Sequence, residues 1–227
     1  MNIESLVVDD KAVLIVDDFF SKEICSDWLR YYMNSGFVLS AVENSYTEAE
    51  GESSFYFTNG LTKAVIEDVF KMSKTILPYV QQWNEKHGTD FKYTDCVRSH
   101  INLTQECDNF TGHVDHLTRD ILIFLWFGNP YFKDEGGGFY LGEDRKTLID
   151  HKFNRCVIFP GTLFHEIQKV IDKNEVRLSV YIGFQKQEGQ QKDLYFDPST
   201  LKNALHKDSF VMNKLVKKLH TDFGIGN

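Results

Sequence analysis

Residues 155–170 read "RCVIFPGTLFHEIQKV". The apolar run closes on Pro160-Gly161, the pattern of a strand ended by a turn, and His165 follows just after. Similar short runs lie on either side: "EGGGFYL" at 135–141 and "RLSVYIGF" at 177–184, with "YTDCVRSHINL" at 93–103 and "DILIFLWF" at 120–127 upstream. Gly, Pro, Asn and Asp clusters separate them. Short strands spaced by turn signals predict a sandwich or barrel, so 93–186 reads as a β core.

The flanks read differently. "AVLIVDDFF" (12–20) is strand-like, and Ser21 can cap a helix with apolar positions Ile24, Trp28 and Tyr31 or Tyr32. Leu61, Val65, Val69, Met72 and Ile76 recur at helical spacing, and Pro78 is expected to end or kink that helix. Val211, Met212, Leu215 and Leu219 suggest a C-terminal amphipathic helix. The expected architecture is a single domain over 1–227. It is mainly β, a jelly roll buttressed by helical support at 18–86 and 199–221. The polar, aperiodic stretch 43–54 reads as a loop, either a lid or merely disordered.

Bulk composition narrows the function. The chain has 227 residues, 42% apolar and 26% charged, ordinary for a soluble globular protein. A net charge of −8 argues against nucleic acid, because phosphate contacts need concentrated positive charge. "KLVKKLH" near the C-terminus reads as a solvated helix face. No apolar stretch approaches the roughly 18 residues of a membrane span. The first residues carry acids where a signal peptide needs a basic region. Cys25, Cys96, Cys107 and Cys156 form no C-x-x-C pair. A reduced, cytoplasmic protein with free thiols is expected.

"TGHVDHLTRD" (111–120) contains H-x-D. Side chains on a strand alternate faces, so an extended 112–116 sends His113 and Asp115 to one side and His116 to the other. If a neighbouring strand brings His165 to the same point, two imidazoles and a carboxylate make a facial set that suits a first-row divalent metal and leaves positions open. H-x-D alone is weak, and its bland reading is surface hydrogen bonding. Downstream, Arg177 and Ser179 share a strand face by the same rule. A guanidinium fork grips a carboxylate with two parallel bonds, and a hydroxyl can add a third. A metal set with a carboxylate clamp nearby is what a chelating 2-oxo acid requires.

Taken in order, "GHVD", "EGGGFYL", "RCVIFPGTLFHEIQKV" and "RLSV", with the opening "VLIVDDFFSKEICSDWL", resemble the Fe(II)/2-oxoglutarate-dependent oxygenases, and within them the prolyl-4-hydroxylase-like branch. The resemblance spans roughly 12–184. It implies a double-stranded β-helix and Fe(II) held by His113, Asp115 and His165. It implies 2-oxoglutarate with its distal carboxylate on Arg177, helped by Ser179. The reaction implied consumes oxygen and 2-oxoglutarate, releases succinate and CO2, and hydroxylates a C–H of an amino-acid or peptidyl substrate, with ascorbate supportive. Where many relatives carry a Tyr before H-x-D, this chain has "SHINL", which makes Asn102 a candidate co-substrate contact. Phe124 or Trp126, in "IFLWFGN", are candidates to line the pocket, as is His100; for all three the bland reading is a structural role. His151 reads as loop, and Arg119 and Lys146 as surface.

Three rivals compete. A hydrolytic or isomerising zinc enzyme could use the same triad but has no need of Arg177 and Ser179. A non-catalytic jelly-roll binding module is a second, although every ligand position holds a competent residue. A halogenase would need a small residue where Asp115 stands. The partner class expected is a small molecule or a peptide. Substrate identity and oligomeric state have no signature in the sequence.

Overall fold

The computed structural model describes residues 2–34, 38–40, 56–58, 76–88, 93–106, 112–115, 121–133 and 135–186. The expected loop 43–54 and C-terminal helix 199–221 lie outside them, as do His116 and Arg119.

Eleven strands and two helical segments are described. They are β1 (Asn2–Val8), β2 (Lys11–Asp17), α1 (Lys22–Asn34), β3 (Val38–Ser40), β4 (Tyr56–Thr58), α2 (76–87), β5 (Tyr93–Thr104), β6 (Ile121–Phe127), β7 (Phe139–Leu141), β8 (Thr147–Ile149), β9 (Cys156–Pro160), β10 (His165–Ile167) and β11 (Arg177–Lys186). An eight-stranded sheet runs β1-β2-β9-β6-β11-β5-β4-β3, and a three-stranded sheet runs β10-β7-β8. All pairings are antiparallel. This is the expected jelly roll.

Register decides what each face of the large sheet carries. Ser179 stands opposite Asn102 on β5 and Phe127 on β6, and Tyr181 opposite His100 and Leu125. Directly opposed residues share a face, so Arg177, Ser179, Tyr181, Asn102, Thr104, Leu125 and Phe127 line the inner one. There Leu125, Phe127, Val157, Phe159 and Tyr181 pack with Phe139, Leu141 and Ile149 of the small sheet. On the outer face Trp126, Phe124, Ile158, Val180 and Ile182 pack under the helices with Phe20, Trp28, Leu29, Val80 and Trp83.

Local chemistry explains the helices. Ser21 caps α1, its Oγ accepting from Ile24 N at 3.3 Å. Cys25, Trp28 and Leu29 then bury one stripe. Pro78 does not end the second helix, which is helical through it to residue 87. Ile76, Val80 and Trp83, spaced one helical turn apart and all buried, hold that segment on the core. The stretch 60–75 lies outside the described residues.

The β structure also reaches beyond 93–186. The run Val13–Asp17 is buried at every position, as expected of a strand covered on both faces, and β2 pairs with β9 through Leu14↔Ile158. Asp17 closes that join, accepting from Arg155 Nε and Lys152 Nζ, each at 2.7 Å. Among the described residues Cys25 and Cys156 are free and buried, and no helix is long and apolar enough to cross a membrane.

Candidate metal centre and co-substrate pocket

His113 lies in a short extended segment that bridges to β10 by two backbone bonds. His113 N donates to His165 O at 3.0 Å, and His165 N donates to His113 O at 2.9 Å. The bridge extends the small sheet by one position and sets the two imidazoles side by side, with ring centroids 4.7 Å apart. Alternation brings Asp115 to the same side as His113. Its Oδ1 lies 3.8 Å from His113 Nε2, and its Oδ2 lies 3.4 Å from His165 Nε2. One donor atom from each residue falls within 4.8 Å of the others.

Local contacts fix the donor atoms in ways that would suit a cation. His165 Nδ1 stands 2.9 Å from Leu163 O, so it carries the proton and donates, leaving the Nε2 lone pair toward Asp115. Phe139 and Phe159 flank the His165 ring at 5.4 and 5.2 Å and keep it from turning. The Asp115 side chain is only 5% exposed and that of His165 8%, whereas that of His113 is 22% exposed, so the group opens on the His113 side. Two imidazole nitrogens and one carboxylate oxygen fit a first-row divalent ion with open positions.

Arg177 is fully buried. Its Nε donates to Gly137 O at 2.7 Å, and its Nη1 donates to Ser179 Oγ at 2.8 Å. The guanidinium carbon lies 5.1 Å from the centroid of the Phe127 ring, a cation–π contact. The backbone that presents this carbonyl requires a glycine: Gly137 holds a φ of +70°, and a Cβ there would lie 2.5 Å from the Phe132 ring. Burial lowers the guanidinium to about 9, which still leaves it cationic at neutral pH. Its Nη2 is buried without a hydrogen-bond partner among the described residues. A cation so buried, with one fork nitrogen unmatched, is costly unless an anion completes it.

The residues beside Arg177 share this state. Thr104, opposite Arg177, and Asn102, opposite Ser179, bury Oγ1 and Oδ1 without partners among the described residues. Thr104, Phe127 and His151 have no signature in the sequence that links them to Arg177. His151, expected as loop, stacks on Phe127 at 4.9 Å and Phe132 at 4.3 Å. Its pKa is pushed down to about 3, by burial first and then by the Arg177 charge, so it is neutral near pH 7.

Two expectations are corrected. Phe124 and Trp126 do not line the pocket; they lie on the outer face of β6. Phe124 packs against Phe184 at 5.4 Å, and Trp126 packs against Phe20 at 5.5 Å while donating Nε1–H to Asn154 Oδ1 at 3.1 Å. His100 stands opposite Tyr181 in register, and its side chain is outside what is described. Lys146 is exposed and pairs with Asp144, as a surface residue.

No family model and no curated protein matches the chain. Solved structures do. A prolyl hydroxylase from Trichoplax adhaerens, in complex with a hypoxia inducible factor peptide, aligns with a TM-score of 0.55 at 16% identity, over 77% of this chain and 83% of that one. A Pseudomonas putida prolyl-4-hydroxylase aligns at 0.52 and 17% identity, over 80% of this chain and 97% of that one. HygX from Streptomyces hygroscopicus, with nickel, 2-oxoglutarate and hygromycin B bound, aligns at 0.52 and 10% identity, over 76% and 82%. The fold is that of the 2-oxoglutarate oxygenases. At these identities the likeness speaks for architecture, and within the 2-oxoglutarate oxygenase fold the chemistry has to be argued from the residues described above.

Proposed function

We propose that this protein is an Fe(II)- and 2-oxoglutarate-dependent dioxygenase that hydroxylates an unactivated C–H of an amino-acid or peptidyl substrate. The observation that carries the reading is a pairing within one jelly roll. A facial donor set lies between the sheets, and a buried cation with an unmatched fork nitrogen lies on the inner face of the large one. His113, Asp115 and His165 would hold the iron. Arg177 would take the distal carboxylate of 2-oxoglutarate through Nη2, with Ser179 fixing the guanidinium plane and Asn102 and Thr104 offering polar groups beside it. When bound, iron and 2-oxoglutarate supply oxidation of a C–H bond by oxygen, with release of succinate and CO2.

The chain's own residues account for the rest. His165 holds its proton on Nδ1 and so keeps Nε2 basic. Leu125, Phe127 and Phe159 exclude water from the inner pocket, which strengthens every charge contact in it. The more exposed His113 marks the side from which substrate enters. The structural relatives whose names carry prolyl hydroxylation or a small-molecule ligand support an amino-acid, peptide or small-molecule substrate.

The test is succinate formation by purified protein with Fe(II), 2-oxoglutarate, oxygen and ascorbate, across a panel of free amino acids, proline-containing peptides and small molecules. Slow turnover without substrate and faster turnover with one of the panel is the expected result. Zinc-dependent hydrolysis with no response to oxygen would replace the reading with that of a zinc enzyme. Ligand binding with no turnover of any kind would favour a binding module.

A further inference from the structure

The metal ligands His113 and Asp115 sit on a short segment, and the outer side of that segment touches residues that the chemistry above does not use. Gly112 faces the Phe164 ring and the Glu166 carboxylate; a Cβ there would collide with the ring and lie 2.7 Å from Glu166 Oε2. Glu166 follows a metal ligand on β10 but faces the other way by strand alternation. Its carboxylate is 17% exposed, and its Oε2 lies 2.5 Å from Nη2 of Arg145, an ion-pair contact without hydrogen-bond geometry to an arginine side chain that is 54% exposed.

Arg145 is itself anchored. It holds a φ of 53° and closes a turn, its N donating to Gly142 O at 3.0 Å. Gly142 N donates to Phe164 O at 2.9 Å, and the adjacent Glu143 N donates to Asp9 Oδ2 at 3.0 Å in the β1–β2 turn. A chain of contacts therefore runs from the N-terminal hairpin through the 142–145 turn to Glu166, whose carboxylate lies beside Gly112, next to His113 in the chain. An ordinary exposed ion pair contributes little. This one has a largely buried carboxylate that lies beside Gly112, the residue before His113.

We propose that Arg145, acting through Glu166, is a positioning residue that holds segment 112–115 in metal-binding geometry. The proposal rests on the metal reading of the site and adds to it a strap on the outside of the small sheet. Outer residues that orient ligands govern metal affinity by roughly 10–100-fold in general.

The test uses full-length protein with Arg145→Ala, Glu166→Gln and the conservative Arg145→Lys. Anaerobic titration reports Mn(II) affinity, and hydrogen exchange in metal-free protein reports the His113 amide, whose partner is His165 O. Thermal unfolding checks that each variant is folded. Arg145→Ala and Glu166→Gln should each weaken Mn(II) roughly 10-fold and speed exchange at 112–115, with Arg145→Lys restoring part of both. 2-Oxoglutarate affinity at saturating Mn(II) should hold. Unchanged Mn(II) affinity together with unchanged exchange would make this a surface ion pair and overturn the proposal. Failure of the unaltered protein to bind Mn(II) would overturn the metal reading instead; the exchange measurement would still decide the strap, unchanged exchange overturning it.

Discussion

Arg177 and Thr104 stand directly opposite each other across β11 and β5, and each buries one polar atom, Nη2 and Oγ1, without a partner among the described residues. Buried polar groups in folded proteins are nearly always satisfied, so two opposed exceptions on an inner sheet face are where the proposed reading would place the carboxylate of 2-oxoglutarate.

Arg177→Lys keeps the charge and loses the fork. It forfeits the bonds to Gly137 O and Ser179 Oγ as well as the free Nη2. 2-Oxoglutarate affinity should fall by roughly one to two orders of magnitude, since a charge-assisted hydrogen bond contributes about 1.5–3 kcal/mol. Calorimetry in the presence of Mn(II) measures it, and Mn(II) affinity should be nearly unchanged. An unaltered 2-oxoglutarate affinity would mean that another residue holds the distal carboxylate.

Thr104→Val replaces a buried, unmatched hydroxyl with a methyl of similar shape. The ligand-free protein should gain stability by about 1 kcal/mol, because an unsatisfied buried group is removed. Stabilisation by added 2-oxoglutarate should shrink at the same time. Thermal unfolding with and without 2-oxoglutarate reads both effects. A loss of stability without ligand would show that the hydroxyl already has a partner.

Trp126→Phe separates the outer face from the pocket. It removes the donor to Asn154 Oδ1, although that oxygen also accepts from Phe20 N at 3.0 Å. Denaturant unfolding should show a loss of about 1–2 kcal/mol, from one lost hydrogen bond and imperfect filling. 2-Oxoglutarate affinity should not change. A large affinity loss in a stable variant would return Trp126 to the pocket.

His151 gives the fold an acid-side slope. Its folded pKa, about 3, lies below the ordinary 6.5. Between those values the unfolded chain takes up a proton that the folded one refuses, so its contribution is complete above 6.5 and is lost as pH falls toward 3. Stability should drop by about 1 kcal/mol per pH unit in that window, and His151→Gln should flatten the slope. Equal slopes in the two proteins would mean that His151 protonates without opening its packing against Phe127 and Phe132.

What was legible in the sequence follows from period and spacing. Alternation on a strand puts His113 with Asp115 and Arg177 with Ser179 on one face each, and the structure places both pairs so. β6 was harder. Ile121–Phe127 is buried at all seven positions, so apolar pattern cannot tell its inner face from its outer one. Only the pairing of Ser179 with Phe127 decides it, which turns Phe124 and Trp126 toward the helices and Phe127 toward Arg177. Thr104, His151 and the docking of β2 on β9 depend in the same way on pairings distant along the chain, and a local reading carries no record of them.

The most direct test of the account compares the unaltered protein with Asp115→Ala, each given Fe(II), 2-oxoglutarate and oxygen, with succinate as the readout. Asp115 supplies the only carboxylate of the donor set, so its loss leaves two imidazoles and an incomplete facial site. The account predicts slow succinate formation by the unaltered protein and none above background by a folded Asp115→Ala. Equal succinate from both proteins, or none from the iron-loaded unaltered protein with any substrate of the panel, would contradict it.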